Sequence, residues 1–369
     1  MTFFLDGAAA SLPALILGFL AAAAIAYVLT PMLRRGFRRR GIVDHPDARR
    51  VNTRPVPRGG GLAVVAAFVI VGGALTLLRD VVPGVPATLG LQPGQVVALF
   101  LGGILAALIG AIDDRLNLRA RWQLAGQIGL AALAVALGVT VGVVSNPFGA
   151  GVIAFGAPLA IAFTVIWIVG MINSINFIDG LDGLSSGIGV IAAVTLGLLS
   201  FTIQVRQPYV AVLCFVLAGA LLGFLRWNFH PASVFQGSAG VMFLGYSLAV
   251  LSILGTAKVV VALLVLGVPI IDTFWVIVRR IADGRSPFSP DRGHLHHRLL
   301  DLGLGHRATV MLIYGICGVL GVLSLLVSAA TGVYAFVGAL LVLGLLVFFL
   351  AREPHEALES ASYEDDLGR

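Results

Sequence analysis

The chain has 369 residues, of which 59% are apolar and 11% are charged, and its formal net charge is +6. Soluble domains contain about 25% charged residues, so this composition excludes an ordinary soluble protein and predicts one that crosses a membrane several times. No basic domain interleaved with aromatic residues is present. The positive charge therefore favours an anionic lipid surface or an anionic substrate as the partner. We do not expect a nucleic acid as a partner.

Apolar runs with the length that spans a bilayer, about 17–25 residues, recur along the chain. They lie at 8–30, 60–78, 95–112, 123–144, 157–172, 185–204, 209–225, 239–256, 259–278, 308–328 and 333–351. We therefore predict an all-α integral membrane protein with about eleven transmembrane helices. One transmembrane domain covers residues 1–351, and a polar tail covers residues 352–369.

Basic residues concentrate in one alternate set of the segments that connect these runs. Nine arginines lie between Arg34 and Arg58, and most of the remaining ones belong to the same set. By the positive-inside rule these segments face the cytoplasm. The N-terminus is then predicted outside the cell, and the polar tail inside it.

The most polar stretch follows the apolar run 157–172 directly and reads Asn-Ser-Ile-Asn-Phe-Ile-Asp-Gly-Leu-Asp-Gly over residues 173–183. Asn173, Asn176 and Asp179 are spaced by three residues, so a helix would place them on one face. Hard oxygen ligands bind Mg²⁺, and amides exposed by glycines bind phosphate. The stretch thus suits a divalent cation and a diphosphate. The alternative is a helix C-cap followed by an Asx turn.

Two adjacent acids, Asp113 and Asp114, end the third apolar run. Negative charge at a helix C-terminus is unfavourable with the helix dipole, so we predict a cation or a basic group beside them. The alternative is pairing with Arg115 and Arg119.

The first basic segment contains Arg49, Arg50, Arg54 and Arg58 among prolines that restrict the backbone. Arginines held beside fixed turns suit a diphosphate or a lipid phosphate. For Arg34–Arg40, a purely topological role explains the charge equally well.

A second basic segment contains His294, His296 and His297 between Arg292 and Arg298. A zinc site is one interpretation, but no thiol or zincin-type carboxylate accompanies the histidines. Hydrogen bonding to phosphate by a combined histidine and arginine cluster is the preferred interpretation.

Three other segments carry weaker signals. Pro269 predicts a kink in its span, and Asp272 within that span is either a functional residue or a partner of a neighbouring helix. Residues 141–155 favour a short hairpin. Residues 226–240 combine aromatic, amide and glycine residues before the start of a helix. This combination suits the binding of a nucleotide base and a phosphate. A plain loop with a serine N-cap explains the same residues almost as well.

Together these motifs resemble the polyprenyl-phosphate N-acetylhexosamine-1-phosphate transferases, in the branch that starts bacterial O-antigen, teichoic-acid and related glycans. The resemblance covers residues 10–350, and its five motifs occur in the family's order. It implies a bacterial plasma-membrane enzyme with a cytoplasmic, Mg²⁺-dependent active site, with Mn²⁺ as an alternative ion. Such enzymes move a sugar 1-phosphate from a UDP-sugar to undecaprenyl phosphate and release UMP. The sugar 1-phosphate expected here is N-acetylglucosamine 1-phosphate. Phospho-N-acetylmuramoyl-pentapeptide transferase is a relative with a different histidine string.

The resemblance also implies roles for individual residues. It assigns metal binding to Asn176 and Asp179, the uracil site to Gly180, Leu181, Asp182 and Phe235, and the nucleotide's surroundings to Asn228. The predicted catalytic set is Asp113, Asp114, Asp179, His294, His296 and His297. The predicted substrate-binding set adds Arg49, Arg54, Arg58, Arg292 and Arg298.

Two positions depart from the family's pattern. Ser238 stands where the family usually has a metal-binding Asp, and Asn52 stands where it has His. A serine hydroxyl is a weaker ligand for a hard dication, so Ser238 is a weak metal ligand at best and a non-catalytic relative is one alternative. A transporter or flippase is the other, because Asp272 and the helix count permit it. The sequence leaves the oligomeric state, including a homodimer, open.

Overall fold

The computed structural model describes residues 5–46, 54–79, 81, 84–86, 88, 90–146, 151–202, 205–254, 258–282, 284, 294–326, 334, 338, 341 and 342. Arg49, Asn52, Arg292, most of the apolar run 333–351 and the tail 352–369 lie outside these residues. What the sequence predicts for them stays a prediction.

The chain is mostly helical, and every apolar run from 8–30 to 308–328 coincides with a helix or a pair of helices. The helices among the described residues are α1 (Leu5–Arg39), α2 (Leu62–Leu77), α3 (Pro93–Leu116), α4 (Ala120–Ala136), α5 (Ala157–Ile178), α6 (Leu184–Ser200), α7 (Pro208–Asn228), α8 (Gly237–Ile253), α9 (Lys258–Val265), α10 (Gly267–Ala282), α11 (Leu295–Asp301) and α12 (His306–Leu326).

Five helices in the described part of the chain are apolar and long enough to cross a membrane: α1, α3, α5, α7 and α12. The pair α9 and α10 forms a sixth candidate. The shorter apolar helices α2, α6 and α8 occupy other runs that the sequence predicts as spans. A multi-pass helical membrane protein is therefore confirmed, whereas the count of about eleven spans and their orientation stay predictions.

The pair α9 and α10 is bent by 78° at Leu266. Pro269 follows three residues later and has no N–H to offer the carbonyl of Val265, four residues before it. The kink predicted from Pro269 is thus present, and its backbone break lies in the turn before the proline.

Two short antiparallel hairpins complete the described fold. The predicted hairpin over 141–155 is present as β3 (Val143–Ser145) paired with β4 (Val152–Ala154). The other hairpin pairs β1 (Val43–Asp44) with β2 (Val56–Pro57) at the base of the first basic segment. It fixes the position of Arg58, the residue that follows β2.

Glycines bring α8 into backbone contact with its neighbours. A Cβ atom on Gly110 of α3 would overlap the carbonyl group of Ser238, and one on Gly61 would overlap the Cα atom of Gly240. Small residues allow membrane helices to approach at backbone distance. These approaches place the C-terminal acids of α3 directly against the first turn of α8.

Candidate active site

A cavity of about 270 Å³ lies where α5 ends and α8 begins. Most of the described residues that the sequence predicts for the site meet at its wall. The lining residues are Asp44, Arg58, Asn176, Asp179, Gly180, Leu181, Asp182, Asn228, Phe235, Gln236, Gly237, Ser238 and His297. Asn173, by contrast, donates its amide hydrogens to Gln127 and to the Val169 carbonyl, so only part of the predicted i, i+3 face belongs to the cavity.

Asp179, which caps the end of α5, belongs to a chain of hydrogen bonds. It accepts a hydrogen bond from the Ser185 hydroxyl, and the Ser186 hydroxyl donates to Asn228 Oδ1 at 2.9 Å. Both hydroxyl oxygens lie 2.8 Å from the Gln236 side-chain amide. Each hydroxyl has a single proton to donate, so the amide orientation that satisfies all these groups directs the Gln236 NH₂ group at the two serines. Sequence reasoning missed both serines and Gln236; two adjacent serines at a helix start were the available signal.

Burial controls the acidity of Asp179. It raises the pKa of this carboxyl to about 7, against the opposing hydrogen bond from Ser185. The Asp114 and Asp182 carboxylates raise the pKa further, whereas the Arg58 guanidinium lowers it. Asp179 is therefore partly protonated near neutral pH, and a cation bound beside it would favour the ionised form.

The acid pair of α3 faces the first turn of α8. Asp114 accepts hydrogen bonds from the backbone N–H groups of Ser238 at 2.8 Å and Ala239 at 3.1 Å. It thus caps α8 from another helix, at the end where the dipole favours negative charge. The Ser238 hydroxyl donates to Asp113 Oδ2 at 2.6 Å. The other Asp113 oxygen accepts two more hydrogen bonds, each at 2.8 Å, from the Leu118 N–H and the Gln123 amide.

Arg58 supplies the positive charge beside this pair. Its Nε atom lies 3.8 Å from Asp114 Oδ1 and 3.4 Å from Asp44 Oδ1. The predicted basic group is therefore present. The alternative ion pairs with Arg115 and Arg119 are not found among the described residues.

Asp272 contacts the start of α11. Its Oδ2 atom lies 2.8 Å from His294 Nδ1, and its Oδ1 atom accepts a hydrogen bond from the Leu295 N–H at 2.7 Å. Both carboxylate oxygens of this buried acid are therefore used by α11 and its N-cap residue. Of the two roles predicted for Asp272, pairing with a neighbouring element is the one that the geometry supports.

His296 is buried against the glycine that follows Asp179. A Cβ atom on Gly180 would overlap His296 Nε2. Burial lowers the pKa of His296 well below its ordinary value, with further lowering by His297, His294 and His306, so the ring is neutral. His296 therefore supports the Gly180 backbone by contact rather than by charge, while His297 reaches the cavity itself.

Asp182 joins the cavity to α12 through two histidines that sequence reasoning did not select. Its Oδ2 atom lies 2.8 Å from His230 Nδ1 and accepts a hydrogen bond from the Ala232 N–H at 2.9 Å. The rings of His230 and His306 stack with centroids 4.0 Å apart and planes 23° apart. Asp182, His230 and His306 bring three potential metal-ligand atoms within 4.8 Å of one another. Lone pairs of nearly parallel stacked rings do not converge on one ion, so the arrangement serves packing and hydrogen bonding.

The other predicted substrate-binding residues divide into two groups. Gly180, Leu181 and Phe235 border the cavity. Asn228 also borders it, but its amide is used internally because Nδ2 donates to the Val234 carbonyl at 3.1 Å. Arg54 and Arg298 are described and are not among the residues that border this cavity.

Comparison with known proteins decides the family. Residues 96–256 match the family described as glycosyl transferase family 4. A probable undecaprenyl-phosphate N-acetylglucosaminyl 1-phosphate transferase of Bacillus subtilis is 34% identical over 326 residues, which cover 86% of each chain. The chain belongs to the polyprenyl-phosphate sugar-1-phosphate transferases. The resemblance read from the motifs is thereby confirmed.

Two further members of this transferase family match over most of their length. The decaprenyl-phosphate N-acetylglucosaminephosphotransferase of Mycolicibacterium smegmatis is 37% identical over 334 residues, covering 84% of this chain and 80% of that protein. The undecaprenyl-phosphate alpha-N-acetylglucosaminyl 1-phosphate transferase of Thermotoga maritima is 31% identical over 282 residues, covering 74% and 78%.

The serine that departs from the transferase pattern has a defined place in this structure. An Asp at position 238 would set a second carboxylate against Asp113, which requires a cation to offset the repulsion. Ser238 instead donates its proton to Asp113 at 2.6 Å. In this transferase the contact between position 238 and Asp113 is therefore a hydrogen bond rather than a pair of like charges.

The remaining oxygen ligands still fit a hard divalent cation. Asp179 is half-buried, its pKa is raised, and the carboxylates of Asp114 and Asp182 add negative charge nearby. Asn176 offers an amide group to the same cavity. Carboxylate and amide oxygens are the ligands that Mg²⁺ takes in proteins. Asp179 with Asn176 would therefore hold the ion in this transferase, and Ser238 would contribute little.

Proposed function

We propose that this protein transfers N-acetylglucosamine 1-phosphate from UDP-N-acetylglucosamine to undecaprenyl phosphate and releases UMP. The observation that carries the proposal is the convergence of Asn176, Asp179, Gly180–Asp182 and Phe235 on one cavity. The names of the relatives support the sugar phosphate and the polyprenyl acceptor.

The reaction is a displacement at phosphorus. A non-bridging oxygen of the lipid phosphate attacks the phosphorus that carries the sugar, the bond between the two donor phosphates breaks, and the bond's electron pair leaves with UMP. The lipid phosphate has its second pKa near 6, so its oxygen is mostly ionised at neutral pH and a strong general base gains little. Positioning and charge neutralisation should supply most of the rate.

The side chains around the cavity are suited to positioning the substrates and to neutralising their charge. Asp113 accepts three hydrogen bonds and Asp114 accepts two backbone hydrogen bonds, so both acids hold the first turn of α8 in place. Arg58 sits beside them at the cavity wall, where it can neutralise phosphate charge. Phe235 offers an aromatic face to the base. Mg²⁺, when bound by Asp179 and Asn176, would neutralise diphosphate charge.

We place this chemistry on the cytoplasmic face of the bacterial plasma membrane, because the basic segments that flank the cavity follow the positive-inside rule. The product would start a cell-envelope glycan. Cysteine-labelling from each side of the membrane tests the placement, with accessibility of a cysteine next to Asp179 from outside as the contrary result.

The activity test uses purified protein, undecaprenyl phosphate, Mg²⁺ and a panel of UDP-sugars, with UMP release and glycolipid formation followed together. UDP-N-acetylglucosamine should give both products in equal amounts. Asp179→Ala should abolish both, whereas Asp301→Asn, on the exposed end of α11, should not. No glycolipid with any UDP-sugar would favour the non-catalytic alternative, and substrate movement without UMP would favour a transporter.

A further inference from the structure

A second cavity, of about 650 Å³, shares Arg58 with the one described above. It opens between the end of α1, the β1 strand and the end of α3. The lining residues relevant to its charge are Arg40, Arg58, Asp114, Arg115 and Asn117. We call it the basic cavity.

The charge of the basic cavity is unbalanced. Its lining contains three arginines and one acid, Asp114, which already accepts hydrogen bonds from two backbone amides of α8. Arg58 lies near Asp44 and Asp114 and donates to Asn117 Oδ1 at 3.5 Å. Over the described residues, the guanidinium groups of Arg40 and Arg115 have neither an ion-pair nor a hydrogen-bond partner. A dianionic phosphate would supply the missing charge and acceptors.

The surroundings of the basic cavity favour a phosphate attached to a lipid. Leu116, next to Arg115, ends a stripe of exposed apolar side chains on α3 that continues at each preceding turn through Ile112, Leu108 and Ile104. A polyprenyl chain can lie along such a stripe in the bilayer while its phosphate reaches the arginines at the helix end.

The basic cavity is also adjacent to the donor site. Arg58 lines both cavities, and Asp114 lines the basic cavity while holding Ser238, which lines the other. A phosphate on the Arg40 side of Arg58 and a diphosphate on the Asp179 side would thus share one guanidinium. A guanidinium shared by the two phosphates would hold them close together, as a displacement between two bound substrates requires.

We propose that the basic cavity binds the phosphate head of the acceptor lipid, with Arg40 and Arg115 as its specific contacts. The assignment of this phosphate to the acceptor rests on the proposed function. Arg40 belongs to the arginines of residues 34–40, for which the sequence alone allows a purely topological role. Among them, Arg40 is the one that lines the basic cavity.

The test compares Arg40→Gln/Arg115→Gln with Arg35→Gln/Arg119→Gln, which removes the same charge from exposed arginines near the same helix ends. Binding of farnesyl phosphate, farnesol and inorganic phosphate is measured on the full-length protein in detergent without donor. Farnesyl phosphate should bind to the wild type and to the control pair with equal affinity, and about tenfold or more weakly to Arg40→Gln/Arg115→Gln. In turnover, the same variant should raise KM for undecaprenyl phosphate by a similar factor and leave KM for the donor within about twofold.

Three results would overturn the assignment: unchanged farnesyl phosphate binding in the variant, an equal loss in the control pair, or a rise in donor KM alone. Inorganic phosphate that binds as tightly as farnesyl phosphate would identify a free-phosphate site instead of an acceptor site. The binding measurement needs no turnover. A wild-type protein that binds farnesyl phosphate through Arg40 and Arg115 but makes no glycolipid would therefore contradict the proposed function and not the phosphate site.

Discussion

Replacing Gly180 with Ala tests whether contact with His296 positions the loop that carries Asp179. The new Cβ atom would overlap His296 Nε2 and lie 3.0 Å and 3.2 Å from the Cε1 and Cδ2 atoms of the ring. Ordinary contacts of a Cβ atom begin at 3.4 Å. His296 is 1% exposed, so the ring has no free space to enter, and the loop or α11 has to move by about 1 Å.

A displacement of that size next to reacting groups costs about 100-fold in rate, or about 2.7 kcal/mol of transition-state stabilisation. We expect this loss in kcat/KM for glycolipid formation by Gly180→Ala. The matched control is Gly170→Ala in α5, where nothing lies within 4 Å of the new Cβ atom, and it should keep full activity.

A double-mutant cycle separates this clash from other effects of the substitution. If the loss comes from the contact with His296, Gly180→Ala should cost little in a His296→Ala background, because the new methyl group then has space. Full activity of Gly180→Ala, or an unchanged 100-fold loss in the His296→Ala background, would refute the positioning argument.

Three further predictions concern the acids of the site. In EDTA, the ionisation of half-buried Asp179 should lower the free energy of unfolding as pH rises from about 4 towards 7, since its folded pKa of about 7 exceeds the ordinary 3.8. The melting temperature of Asp179→Asn should lack this part of the decline, and identical pH profiles of the two proteins would contradict the prediction. Asp272→Asn removes one acceptor from the start of α11, so amide exchange over residues 295–301 should accelerate about tenfold, with unchanged exchange as the contrary outcome. Ser238→Asp should lower the Mg²⁺ concentration for half-maximal rate and, unlike Ser238→Asn, should destabilise the protein in EDTA through repulsion with Asp113; an unchanged Mg²⁺ requirement would show that position 238 is not a ligand site.

The helices could be predicted from the sequence because a segment inside the bilayer must form its backbone hydrogen bonds within itself. A sufficiently long apolar run therefore indicates a helix. The hairpin over 141–155 followed from β-branched residues around a turn. The convergence of residues 113–114 and 176–182 was also predictable in outline, since polar groups cluster at the ends of apolar runs.

The partners within the site could not be predicted, because they depend on how helices pack. Asp114 and Ser238 are far apart in the sequence, and nothing in their spacing indicates that Asp114 caps the helix that contains Ser238. That contact exists because α3 and α8 approach closely at Gly110. Likewise, Asp272 and His294 are separated by a connection over 283–293, and their contact requires the bent span to face α11. The sequence does not distinguish Arg40 from the other arginines of residues 34–40, because only the fold shows that it lines the basic cavity.

The Asp272 contact has a practical consequence for anyone who reconstitutes this transferase. α10 is one arm of the 78° bend, and through Asp272 it holds the N-cap of the short helix that presses His296 on Gly180. A change in the angle between the arms would therefore displace His296 and the Gly180 side of the cavity that contains Asp179. Because bilayers of different thickness impose different tilts on their helices, acyl-chain length belongs among the variables to be controlled when turnover numbers are compared.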